Sequence, residues 1–422
     1  MKYIRVQNYW NRQALYLTKN VAGLFFIFAL FPYVSFGTNS MDSQPHYIFL
    51  AILSFIFFSL SGLVFRKALD LIILLMIILL TLFLTTTNFD FLFIRASASH
   101  VGFVITLIAS IIYFERFGIP VKIIVIANII YIVAALIQWS FGGDILDFLV
   151  HSNGGGGNNQ GGHISLTPEH TFFGIVLYFF SWIYFVIYNY KPPKEIAILV
   201  FINFLSIFLL AKSSMVIVYL VVSAFVYLIS NWKNKRILIL TLFTTTFGFI
   251  VLYGFLLLDP DSRFAHLVNI GSKIEGGLFR QIIAVIAWDS SINDRVLNVV
   301  FPYFGFVLNY GIPGGLQSYS DLSFALIEEF GGFFWSGLGS NKILSFIGAF
   351  IYELGLIGVI FIFYIYWFLK DNNNPNRFFE LILLFAVLNS AIPVAFSLVP
   401  ILVAIMYYKK SNPPSRLQNY DP

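Results

Sequence analysis

The sequence predicts an all-α, polytopic integral membrane protein, a single membrane domain over 1–422 with about twelve transmembrane helices and a large loop before the last three. Three observations carry this expectation. Of the 422 residues, 59% are hydrophobic and 11% charged, whereas a water-soluble domain keeps roughly 25% charged to cover its surface. Apolar runs long enough to cross a bilayer recur along the chain. Basic residues fall on alternate segments between those runs.

A hydrocarbon core of about 30 Å needs roughly 20 apolar residues in helix, because backbone groups left unpaired in lipid are costly. The runs that qualify are 20–36, 47–65, 68–86, 98–114, 119–139, 169–190, 195–211, 213–231, 236–258 and 343–369. The stretch 378–408 would reach about 46 Å as one helix. Asn389, Ser390 and Pro393 interrupt it, so it reads as a hairpin of two short helices, giving twelve spans. The runs are continuous and not alternating, which excludes a transmembrane β-barrel. The basic start leads into 20–36 with no small-residue cleavage site, so the first span is expected to be retained. Cysteine is absent, which removes disulfides and thiolate metal sites.

Charge placement tests the count. Eighteen of the 25 basic residues lie on one side: Lys2, Arg5, Arg12, Lys19, Arg66, Lys67, Arg116, Lys122, Lys191, Lys194, Lys233, Lys235, Arg236, Lys370, Arg377, Lys409, Lys410 and Arg416. The short loops opposite hold Arg95 and Lys212 alone. Cytoplasmic loops collect Lys and Arg, so both termini are expected in the cytoplasm. Two segments then lie outside. The first, 140–168, holds SNGGGGNNQGGH and reads as a flexible tether. The second, 259–342, mixes aromatic and basic residues and lacks strand alternation, so short helices near the membrane surface are expected. No 20–50-residue repeat is visible.

Ionisable groups at membrane depth or at its edge are costly and therefore functional candidates. Arg95, Glu169, His170, Lys212, Arg280, Arg295 and Glu353 all fall toward the outer face on this topology. Each has a plainer alternative. In Thr167-Pro168-Glu169, Thr caps, Pro opens and an acid favours a helix start. Lys212 reaches headgroups by snorkelling, and Arg280 and Arg295 make ordinary surface contacts. Glu353, inside the tenth span, requires neutrality, a wet cavity or a partner such as Lys212 or Arg295. His163 and His170 lack a third ligand at suitable spacing, so no metal is expected. Several cations hold a phosphate or pyrophosphate, and a carboxylate takes a proton from an attacking hydroxyl. Trp288, Tyr303, Tyr310, Tyr319 and Trp335 are candidates to stack on sugar rings or to anchor at the interface. The set suits glycosyl transfer from a lipid-linked pyrophosphate.

Three segments, in order, resemble the Wzy-type O-antigen polymerases of the O-antigen polymerase and ligase superfamily. LTPEHTFFGIVL at 166–177 looks like the family's segment at the head of a mid-chain span. FLLAKSSMVIVYL at 208–220 looks like its short polar turn. FFWSGLGSNKILSFIGAFIYELGLIGVIFIF at 333–363 looks like the block that closes its large outer loop. The resemblance implies polymerisation of undecaprenyl-pyrophosphate-linked oligosaccharide units into a surface polysaccharide, on the periplasmic face of the bacterial inner membrane. It implies no cofactor, metal or nucleic acid, and a chain-length regulator as a further partner. Arg95, Lys212, Arg280 and Arg295 would hold the pyrophosphate. Glu169 would be the base, with Glu353 or His170 as alternatives. The chain departs from the family at His170-Thr171, where Pro-Ser is frequent. It also has no His between His266 and the C-terminus, where a ligase would carry one. An O-antigen ligase and a lipid-linked oligosaccharide flippase are the rival readings.

Overall fold

The computed structural model describes residues 10–35, 44–60, 66–86, 89–146, 148–150, 162–230, 263–275, 277–337, 339–372, 374 and 376–412. Its regular elements there are all helical. They are α1 (Trp10–Leu30), α2 (His46–Leu60), α3 (Arg66–Thr85), α4 (Phe91–Phe117), α5 (Val121–Phe141), α6 (His170–Ile187), α7 (Lys194–Ser206), α8 (Ser214–Ser230), α9 (Arg263–Ser272), α10 (Leu278–Trp288), α11 (Ser290–Leu308), α12 (Tyr319–Glu329), α13 (Phe346–Leu354), α14 (Leu356–Leu369), α15 (Arg377–Leu388) and α16 (Leu398–Ser411). Among the described residues, five helical stretches are long and apolar enough to cross a membrane: Ala68–Thr85, Phe93–Phe117, Val121–Phe141, His170–Ile187 and Lys194–Ala211. The sequence-predicted span at 236–258 lies outside the described residues.

Burial shows what solvent these helices meet. Along α3, Leu69, Ile73, Met76, Leu80 and Leu84 are exposed and share one face, while Leu71, Leu75, Ile78 and Leu82 pack inward. An uncovered stripe of large apolar side chains is stable against lipid, not water. This is a membrane protein. At the centre, α4 packs against α1, α2, α3 and α16, and α6 packs against α5, α7, α8 and α16.

One end of the bundle is tied by charge. Lys409 Nζ donates to the Ile187 carbonyl at 2.9 Å and Lys410 Nζ to that of Phe368 at 3.0 Å. Arg377 meets Glu380 at 2.8 Å, and Tyr190 donates its hydroxyl hydrogen to the same carboxylate at 2.8 Å. The two lysines satisfy orphan carbonyls at the C-terminal ends of α6 and α14. The opposite end carries the start of α6, the turn at Lys212 and the described part of 259–342, which is four helices, α9 to α12.

Three expectations about the elements are corrected. The run 343–369 is not one helix: it breaks at Gly355, whose φ of +58° and ψ of −136° suit glycine alone. Chain direction reverses there. The rings of Phe350 and Phe361 stack at 4.6 Å, whereas in one continuous helix eleven residues would separate them by about 16 Å. Glu353 therefore sits beside a fold-back, not part-way down a span. The fourth helix starts earlier than 98, because Asp90 caps it by accepting from the Phe93 amide at 2.9 Å. That moves Arg95 from a loop into the helix. Lastly, α6 begins at His170 with Glu169 in the cap position and no side-chain cap bond. Thr167 does not cap it. Its hydroxyl donates to the carbonyls of Ile164 and Glu169, at 2.6 and 2.8 Å. In contrast, 378–408 is broken between α15 and α16 over 389–397, as Asn389, Ser390 and Pro393 predict.

Candidate active site

Three anchored segments converge at the end of the bundle opposite the Arg377–Glu380 pair. The first is 163–169. Gln138 of α5 grips Ser165 at both backbone groups, accepting from its amide at 2.6 Å and donating to its carbonyl at 3.3 Å. The Ser165 hydroxyl donates to the Tyr131 carbonyl at 2.6 Å. These bonds fix the approach to Glu169. The second is the start of α11, capped by Asp289, which accepts from the Ile292 amide at 2.8 Å. Its first turns present Asp294 and Arg295, and the Arg295 guanidinium donates to the Thr171 hydroxyl at 3.2 Å. That contact joins α11 to the head of α6.

The third segment, 333–345, is held onto α11 by asparagines. Asn293, fully buried, donates to the carbonyls of Ile286 and Phe333 and accepts from the amides of Trp335 and Ser336. Asn298 accepts from the Leu344 amide at 3.0 Å and donates to the Asp294 carboxylate at 3.0 Å. Asn293→Ala would strand four backbone groups, each costing about 1–3 kcal/mol where no water replaces the bond. We expect a loss of about 2–4 kcal/mol, read as a lower unfolding temperature together with faster hydrogen exchange over 333–345. Unchanged exchange in that segment would refute the anchoring role.

Between these segments lies a cavity of about 660 Å³. Arg95, Arg295 and Lys342 line it with Glu169, Asp294, His100 and Glu353. Burial pushes the Asp294 carboxyl above the usual aspartate range, and the charge of Glu169 adds to this against Arg295, Asn298 and Lys342. A Cβ on Gly337 would collide with the Asp294 carboxylate, so this glycine of the SGLGS stretch makes room for it. Glu353 does not meet Lys212 or Arg295 in an ion pair; its carboxylate lies 3.2 Å from His100 Nε2.

The expected site is thus brought together in part. Arg95, Glu169, Arg295 and Glu353 line one hollow. Lys212, His170 and Arg280 are not among its lining residues. Lys212 has a left-handed backbone, φ +48°, at the end of a π turn over Ile207–Ala211, a distortion frequent at functional positions. Its charge, after burial, lowers the pKa of His163. Arg280 is exposed on α10. The aromatics Trp288, Tyr303, Tyr310, Tyr319 and Trp335 do not line the cavity; Tyr33 and Phe172 do, with ring centroids 5.4 Å apart. Of the histidine, acidic and basic residues that line it, three escaped the sequence reading: His100, Asp294 and Lys342. His100 alone had a signal, as an ionisable side chain within the apolar run 98–114.

No protein-family model matches this chain, and no curated protein matches it either.

Proposed function

We propose that this chain is a metal-independent glycosyltransferase that joins oligosaccharide units carried on undecaprenyl pyrophosphate into a surface polysaccharide, in the manner of the Wzy-type polymerases. The reading places about twelve spans in a bacterial inner membrane, both termini in the cytoplasm and the cavity on the periplasmic side. One observation supports it above the rest. Arg95, Arg295 and Lys342 share a cavity with Glu169 and Asp294, which is the charge pattern needed to hold a diphosphate beside a proton acceptor.

In this reading the three cations hold the donor diphosphate. The acceptor hydroxyl attacks the anomeric carbon, the bond to the diphosphate oxygen breaks, and the hydroxyl proton passes to the Glu169–Asp294 pair. Glu169, expected as the base itself, acts alongside Asp294. Asp294 must be ionised to accept a proton, so activity falls as pH drops through its raised pKa. Glu169→Gln removes one cause of that elevation. The acidic limb of the rate–pH profile is therefore expected to move to lower pH, and an unmoved limb would separate the two residues.

The test is direct. Purified protein in liposomes, given lipid-linked units, should yield a ladder of longer glycans, with EDTA present. Glycan passed onto a separate lipid acceptor in one step, with no ladder, would favour a ligase. Movement of units across the bilayer without new bonds would favour a flippase.

A further inference from the structure

His100 of α4 and Glu353 of α13 face each other in the cavity wall, Nε2 to Oε2 at 3.2 Å. Both are nearly excluded from solvent, at 2% and 7% exposure. The second ring nitrogen decides the tautomer. Nδ1 lies 3.1 Å from the Ala96 carbonyl oxygen, one helical turn back. A carbonyl only accepts, so Nδ1 carries a hydrogen. In a neutral ring Nε2 is then a bare acceptor.

Neither Nε2 nor Oε2 has a hydrogen-bond partner among the described residues, and each is the nearest opposite group that the other meets, at 3.2 Å. Without a proton between them, a lone pair and a carboxylate would face each other in a wall that screens poorly. One proton removes the repulsion, whether it rests on nitrogen or on oxygen. The two residues thus form a single buried unit that one proton between them would leave without net charge.

Arg95, Arg295 and Lys342 face the same cavity as the pair, together with the carboxylates of Glu169 and Asp294. A proton between His100 and Glu353 therefore lies in the wall of the hollow where those cations would hold the diphosphate.

Resting on the transfer reaction above, we propose that the His100–Glu353 pair is the general acid that protonates the departing diphosphate. The acceptor oxygen bonds to the anomeric carbon as the bond from that carbon to the phosphate oxygen breaks. The electron pair stays on the phosphate oxygen, which receives the shared proton. The acceptor proton goes to the Glu169–Asp294 pair, leaving Glu353 ionised beside neutral His100. Exchange with water then returns one proton to His100–Glu353 and removes one from Glu169–Asp294, closing the cycle. Glu353, expected from the sequence as a second base, takes the opposite role.

The experiment is a rate–pH profile across roughly pH 5 to 9, with protein in liposomes and the lipid-linked unit extracted from a host lacking this gene. Wild type should lose rate on the alkaline side, where the acid is spent. Glu353→Gln keeps an amide donor facing Nε2 but has no proton to release. It should hold the wild-type unfolding temperature, lose roughly 10²-fold in rate and lose the alkaline limb. His100→Gln carries the same expectation should Glu353→Gln not insert. A wild-type rate that stays flat to high pH overturns the proposal without any variant. So does a Glu353→Gln or His100→Gln profile that matches wild type, because a structural contact alone would survive the exchange. Absence of polymer from wild type at every pH overturns instead the transfer reaction itself.

Discussion

Arg295→Ala is expected to reduce glycan transfer by about 10²–10³-fold while the protein still inserts and folds. Arg295 is set in the cavity by the α11 helix and by its hydrogen bond to the Thr171 hydroxyl. Its planar fork matches two phosphate oxygens at once, and charge builds on those oxygens as the sugar bond breaks. Arg295→Lys keeps the charge but not the fork, so partial recovery is expected. The losses should fall mainly in kcat, since the interaction strengthens as the leaving group departs. Size-resolved glycan products from wild type and both variants, with unfolding temperatures alongside, would check this. Full activity in Arg295→Ala would remove the guanidinium from the reaction.

Gly358→Ala is expected to cost about 3 kcal/mol or more of stability. A Cβ there would collide with the carbonyl oxygen of Phe350, and backbone on both sides leaves nothing flexible to yield. The fold-back of α13 on α14 needs this close approach, as it needs the positive φ of Gly355. Opening it would separate Phe350 from Phe361 and pull Glu353 from His100. Gly23→Ala is the control: nothing lies within 4 Å of its added methyl group, and inside helix α1 the exchange should be stabilising, by up to about 1 kcal/mol. Thermal unfolding in detergent distinguishes the two. Equal unfolding temperatures would mean that α13 and α14 do not pack as described.

These two positions also show where the sequence was legible. The stretch ELGLIG at 353–358 stood out as a pattern, but its reading as part of one span came from counting apolar residues. Apolar character is shared by a straight helix and by a fold-back; only the packing of Phe350 on Phe361 separates them. The hairpin at 389–397 was readable because Asn, Ser and Pro interrupt the apolar run. At Glu169, Thr-Pro-Glu was good helix-start chemistry, yet the Thr167 hydroxyl bonds the carbonyls of Ile164 and Glu169 instead of capping α6.

By itself, the sequence determined the solvent of this protein and its helical character. Those are properties of composition and run length, and lipid forces backbone groups to pair within each segment. It also pointed to Arg95, Glu169, Arg295 and Glu353. Only the tertiary structure decided which ionisable groups share one hollow, bringing His100, Asp294 and Lys342 in and leaving Lys212, His170 and Arg280 out of its lining. Residues 100, 169, 294, 342 and 353 sit on five separate segments, and no local pattern encodes the helix packing that gathers them.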